Sequence, residues 1–165
     1  MTSRRAPLTV RELVALALIA AAMIVGQVAF ASLPNVEIVS LIVILTALRF
    51  GPKALFSIYV FVLLEGVVWG FGTWWFCYLY IWTVLWGVVM FFRACDSPFV
   101  FAFISALFGL FFGALCSLVY LFIGGPGAAI SFFVAGVGFD LVHCVSNFIV
   151  ALVLFVPLRA LFKRI

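Results

Sequence analysis

The chain has 165 residues, 69% hydrophobic and 8% charged, with a formal net charge of +4 and a mean hydropathy of +1.46. A soluble domain carries about 25% charged residues, so there is too little polar surface here to coat a globule in water. Nor does the positive balance point to nucleic acid, because the basic residues sit in short flanks beside apolar runs, the mark of membrane topology.

The first apolar run, residues 13–31, is close to the ~20 residues that cross a bilayer core. Arg4, Arg5 and Arg11 precede it. A twin arginine followed by "AFAS" (29–32) also fits a removed signal peptide. The length of the run, and the membrane character of everything after it, favour a retained span. Within it Ala17 and Ala21, and Ala22 and Gly26, are small residues four apart. Such faces let two helices approach closely, either inside the chain or against a partner.

"SLPNVE" (32–37) follows as a loop offering Asn35 and Glu37 beside Pro34. A second span is expected over 36–49, closed by "RFGPK", and a third over 54–70, interrupted only by Glu65. "WGFGTWWFCYLYIW" (69–82) leads into a fourth span, 74–92. There Trp74, Tyr78 and Trp82 recur at i, i+4, i+8 and form one stripe. Trp69 and Trp75 fit an ordinary interfacial belt. Tyr78 and Trp82 lie deeper and suit flat apolar walls for a ring-bearing solute.

A fifth span is expected over 99–123. "GGPG" (124–127) lacks the lysine of a phosphate loop, and no ATP-binding signature occurs. Gly136 and Gly138 are expected to break the last apolar run, leaving an interfacial segment over 128–136 and a sixth span over 138–157. The pattern predicts an all-α integral membrane protein, one domain over 1–165, built as a bundle of six short transmembrane helices. All nine basic residues then fall on one side, which positive-inside bias makes cytoplasmic together with both termini.

In the sixth span Asp140, His143 and Asn147 lie within an arc of about 60° on one helical face. Mid-membrane charge costs about 2.5–3.5 kcal/mol on insertion scales, so such residues face a bundle interior or water. An interhelical hydrogen-bond clamp would account for Asn147 alone. Three such residues on one face, with Glu65 at a similar depth, favour a solute pocket. The expected substrate-binding set is Asn35, Glu37, Glu65, Trp69, Trp74, Trp75, Tyr78, Trp82, Asp140, His143 and Asn147. Cys77, Cys95, Cys116 and Cys144 are widely spaced with one histidine in the chain, and read as apolar fillers rather than metal ligands. No metal or cofactor is expected.

These features together resemble the substrate-binding S-components of energy-coupling factor transporters. The alanine-rich first span, "LPNVE", "GFGTWW…YLYIW" and "GVGFDLVHCVSNF" carry the resemblance over nearly the whole chain. It implies a high-affinity binding subunit for a vitamin or related micronutrient, working with a transmembrane coupling subunit and two ATPases in the cell membrane of a prokaryote. It further implies that Ala17 and Ala21 dock on the coupling subunit and that the loop around Asn35 gates the site. The rival readings are a self-sufficient small carrier or channel, and an intramembrane enzyme using Asp140 and His143. Cys144 points about 100° away from His143 on a helix, which makes a poor nucleophilic pair.

Overall fold

Thr9 starts the first helix. Its hydroxyl accepts the Glu12 N–H at 3.2 Å, and the Glu12 carboxylate accepts the Thr9 N–H at 2.9 Å, a reciprocal capping box. From there α1 runs Val10–Ala29 in this computed structural model, which describes residues 7–165. Next come α2 (Val39–Phe50), a 3₁₀ turn (Gly51–Lys53), α3 (Ala54–Trp69), α4 (Thr73–Phe91), α5 (Pro98–Leu110) and α6 (Phe112–Phe162).

The expected six short spans are not what the chain builds. Among the described residues four helical stretches are long and apolar enough to cross a membrane: Val10–Ala29, Val39–Trp69, Thr73–Phe91 and Pro98–Phe162. The second has 31 residues and the fourth 65. The sequence reading cut these two at their glycines and prolines. Yet α2 alone, with 12 residues, is about 18 Å long at 1.5 Å per residue. That falls well short of a ~30 Å hydrocarbon core. At "GPK" Gly51, with a φ of 57°, closes α2 and opens the 3₁₀ turn that joins it to α3.

Gly136 and Gly138 stay inside α6 rather than breaking it. Glycine in a helix costs about 1 kcal/mol relative to alanine, whereas each backbone group left unpaired in lipid costs several. Intact helix wins. The long final stretch bends instead at Gly125, whose φ of 73° is open to glycine without strain. Pro126 follows and has no N–H to lose, as suits the opening residue of a helix. Beyond the bend the chain returns along α5, where Phe101 stacks on Phe155 at 5.2 Å. The Asn147 amide donates to the Ser105 carbonyl at 3.3 Å.

The centre of the bundle is α2, buried without a gap from Val39 to Ala47. Its sequence is apolar on all sides because protein surrounds all sides. On α1, Leu16, Ile19, Ala20 and Met23 turn inward. The opposite side of that helix, with Leu18 and Val25 each 66% exposed, suits lipid. Membrane embedding makes such exposure ordinary, and the chain is a multi-pass integral membrane protein.

Several basic residues meet at one end of the bundle. Lys53 Nζ lies 2.7 Å from the Glu12 carboxylate, and Arg49 Nε donates to the Phe162 carbonyl at 3.1 Å. Arg159 pairs with Asp96, an ion pair that holds the Asp96 carboxyl below its usual range. Arg4 and Arg5 lie outside the described residues.

Candidate functional site

At the other end, the segment between α1 and α2 folds down over the bundle. Leu33 N–H donates to the Phe30 carbonyl at 2.8 Å and Val36 N–H to Leu33 at 3.2 Å. Asn35 takes a φ of 58°, the left-handed region that asparagine tolerates better than most residues. The Ser146 hydroxyl then pins this turn to α6 by donating to the Asn35 carbonyl at 2.6 Å.

Beneath the turn is a cavity of about 160 Å³. Its polar floor is the Glu37–His143 pair, whose Oε1 and Nε2 lie 3.3 Å apart. The second carboxylate oxygen of Glu37 accepts the Ser40 N–H at 2.8 Å, satisfying a backbone donor at the start of α2. Burial pushes the Glu37 carboxyl up, but His143 and the Ser40 bonds outweigh it and hold the group below the usual carboxylate range. Tyr78, Trp82 and Phe112 wall the space, with Gln27, Phe30 and Asn35 closing it. The Phe112 ring also lies 5.0 Å from the His143 ring. Two buried nitrogens of these walls, Trp82 Nε1 and His143 Nδ1, have no hydrogen-bond partner.

Asp140, His143 and Asn147 are all buried, yet they do three different things. His143 alone borders the cavity. Asp140 Oδ1 accepts the Gly113 N–H at 3.0 Å, so the carboxylate caps the start of α6, where a helix presents free donors and partial positive charge. Gly113 is the residue that permits this, since a Cβ there would run into Asp140 Oδ2. Asn147 ties three helices together, donating to Ser40 Oγ on α2 and to the Ser105 carbonyl on α5, both at 3.3 Å.

Of the expected solute-binding residues, Asn35, Glu37, Tyr78, Trp82 and His143 come together around the cavity. The others stand elsewhere. Glu65 is 2% exposed in α3, with Oε1 unpartnered. Trp69 is 51% exposed at the end of that helix. Trp74 packs edge-on against Tyr78 at 5.1 Å, one layer behind the wall. Trp75 is held by its indole N–H donating to the Val62 carbonyl at 2.8 Å.

Gln27, Phe30 and Phe112 went unrecognised in the sequence, as did Gly113 and the buried serines. Ser40, Ser57 and Ser105 did carry a usable signal, each being a small polar residue in an otherwise apolar run.

The small residues of α1 divide too. Ala17, Ala21 and Ala22 lie on the exposed side. Gly26 packs inside the chain, where an added Cβ would sit 2.6 Å from Ile38 Cγ2. Two larger grooves, about 930 Å³ between α4 and α5 and about 500 Å³ beside α1, are lined almost wholly by apolar side chains and suit contact with lipid. No three His, Cys, Asp or Glu side chains gather into a metal-binding group among the described residues.

Comparison with family profiles, with curated proteins and with solved structures finds no match for this chain. The resemblance to the S-components of energy-coupling factor transporters is therefore corrected. It implies six short spans, and the chain has four membrane-crossing stretches, two of them bent. The vitamin-uptake role, the coupling subunit and the ATPase partners fall with it, because they rested on that resemblance alone.

Proposed function

We propose that this protein is a self-contained membrane carrier for a small solute, and that the cavity beneath the turn at residues 30–37 is its binding site. One observation carries the reading: a buried carboxylate–imidazole pair borders a partly open cavity instead of being packed over. Taking such groups out of water costs several kcal/mol per ion, and apolar replacements commonly pack as well or better. A pair kept at the wall of a cavity is most simply accounted for by a ligand that uses it.

In this reading the basic end faces the cytoplasm with both termini, following the positive-inside rule, and the cavity opens to the opposite side. Glu37 and His143 bind rather than catalyse. No serine, threonine or cysteine borders the cavity among the described residues, so an attacking group of the usual kind is missing beside the imidazole.

The test is reconstitution of the purified protein alone into liposomes. Entry of small cations, neutral polyols and carboxylates is followed by light scattering, with planar-bilayer recording alongside. A carrier gives saturable, solute-selective entry without unitary currents. Entry no faster than into empty liposomes for every solute class removes the proposal, and unitary conductance replaces it with a channel.

A further inference from the structure

The carrier reading leaves the solute open, and the walls of the cavity narrow it. Tyr78, Trp82 and Phe112 cross one another steeply. Their interplanar angles are 87° for Tyr78–Trp82, 88° for Tyr78–Phe112 and 64° for Trp82–Phe112, with centroids 5.6 to 6.3 Å apart. Three steeply crossed rings make the corner of a box, and Phe30 adds a fourth ring from the turn above. The face of each ring carries the negative side of its quadrupole. Glu37 supplies the one formal charge of fixed sign among the lining residues, and no lysine or arginine borders the space.

From this geometry we infer that the cavity takes a small organic ammonium ion, seated against the rings of Tyr78, Trp82 and Phe112 with Glu37 as its counter-charge. The inference deepens the carrier reading and rests on it for the location of the site.

Size, charge and hydrogen bonding agree. A volume of about 160 Å³ equals the liquid share of about five water molecules at ~30 Å³ each, enough for an ammonium group with a short carbon chain. A bare metal cation fits poorly, because hard cations need about six or more oxygen ligands in place of their water, and Glu37 is the one carboxylate among the lining residues. Aromatic cages stabilise alkylated ammonium groups through the ring faces, most strongly when water is excluded. The Glu37 oxygens each hold one partner, and a carboxylate offers about four lone-pair sites, so acceptor capacity remains for the cation. An amino alcohol or its quaternary counterpart meets all these demands. An anion would meet Glu37 and the ring faces with the wrong sign.

Calorimetric titration of the detergent-purified wild-type protein tests this without a folding ambiguity, since the probe changes and the protein does not. The probes are choline, ethanolamine and tetramethylammonium, the dimethylbutanol that replaces the choline nitrogen by carbon, and acetate. The expected result is at least about tenfold tighter binding of choline than of its neutral isostere, with no acetate binding. Phe112→Leu should weaken choline more than tenfold while moving the neutral alcohol little, and Phe112→Tyr should retain binding. Equal affinity for choline and its isostere overturns the inference, as does tighter acetate binding or the absence of binding by all three cations.

These outcomes separate the two readings. Cation binding without liposome uptake keeps the site and removes the carrier. Uptake of some other solute without cation binding keeps the carrier and removes the ammonium assignment.

Discussion

Asp140 is the residue on which sequence and structure part most sharply, and replacing it distinguishes a solute ligand from a helix cap. In the folded chain its Oδ1 takes the Gly113 N–H at 3.0 Å, and its side chain does not border the cavity. Asp140→Ala therefore removes one capping interaction and strands a buried amide. Loss of a cap costs about 0.5–2 kcal/mol, and an unsatisfied buried donor about 1–3 kcal/mol. These describe the same event rather than two that add, so the expected loss is about 1–3 kcal/mol. Asp140→Asn keeps an acceptor of the same shape and should recover at least half of it. The assay is reversible unfolding of the detergent-solubilised protein by increasing mole fraction of denaturing surfactant, followed by far-UV circular dichroism. Binding of the cation probes is measured in parallel below the transition. Both variants should bind with wild-type affinity. If Asp140→Ala keeps full stability but loses binding, Asp140 is a ligand and the capping argument is wrong.

Other substitutions probe the remaining features. Gly109→Ala should cost about 1–3 kcal/mol through overpacking, because the new Cβ would lie 2.8 Å from the His143 backbone carbonyl; the same surfactant titration reads it. Gly136→Ala, in open space within α6, should instead stabilise by about 0.5–1 kcal/mol, and a loss of helicity there would show that the helix does break. Asn147→Leu should destabilise by about 1–2 kcal/mol, removing two interhelical bonds of roughly 0.6 kcal/mol each and stranding Ser40 Oγ; a neutral result would sink its role as a tie between α2 and α5. For Glu37, whose carboxyl lies below its usual range when folded, linkage requires the contribution to be fully present above the ordinary carboxylate value and lost as pH falls through the lowered one. Hydrogen exchange over residues 30–40 should therefore stay slow in mild acid and rise only below the usual carboxylate range. Glu37→Gln should remove that pH dependence, and an unchanged profile in the variant would refute the assignment.

The membrane character and the shared inward face of Asp140, His143 and Asn147 were legible because both depend on short-range pattern, composition in one case and helical periodicity in the other. The division of labour among those three residues was not. It depends on Gly113, which lies 27 positions before Asp140, and on Ser40, which lies 107 before Asn147. No local rule connects such pairs. The span count failed for a related reason. Gly51, Pro52, Gly136 and Gly138 carry the same breaking signal in the sequence, while whether a helix yields there depends on what else can satisfy the freed backbone. At Gly125 the chain does turn, and Pro126 directly after it sets "GGPG" apart from the glycines of α6 that remain helical. Trp74, Tyr78 and Trp82 illustrate the limit of periodicity from the other direction. Their stripe exists, but only the last two reach the void.

The burial of α2 sets the order in which this protein must be made. A segment too brief for the bilayer to hold, and enclosed by helices that leave the ribosome after it, cannot be secured when it first emerges. Its walls include α4, α5 and the returning arm of α6, so it stays unsettled until the last third of the chain arrives. Chains halted after Phe91 should for that reason be cleared by membrane quality control, although every residue of α2 has already been synthesised.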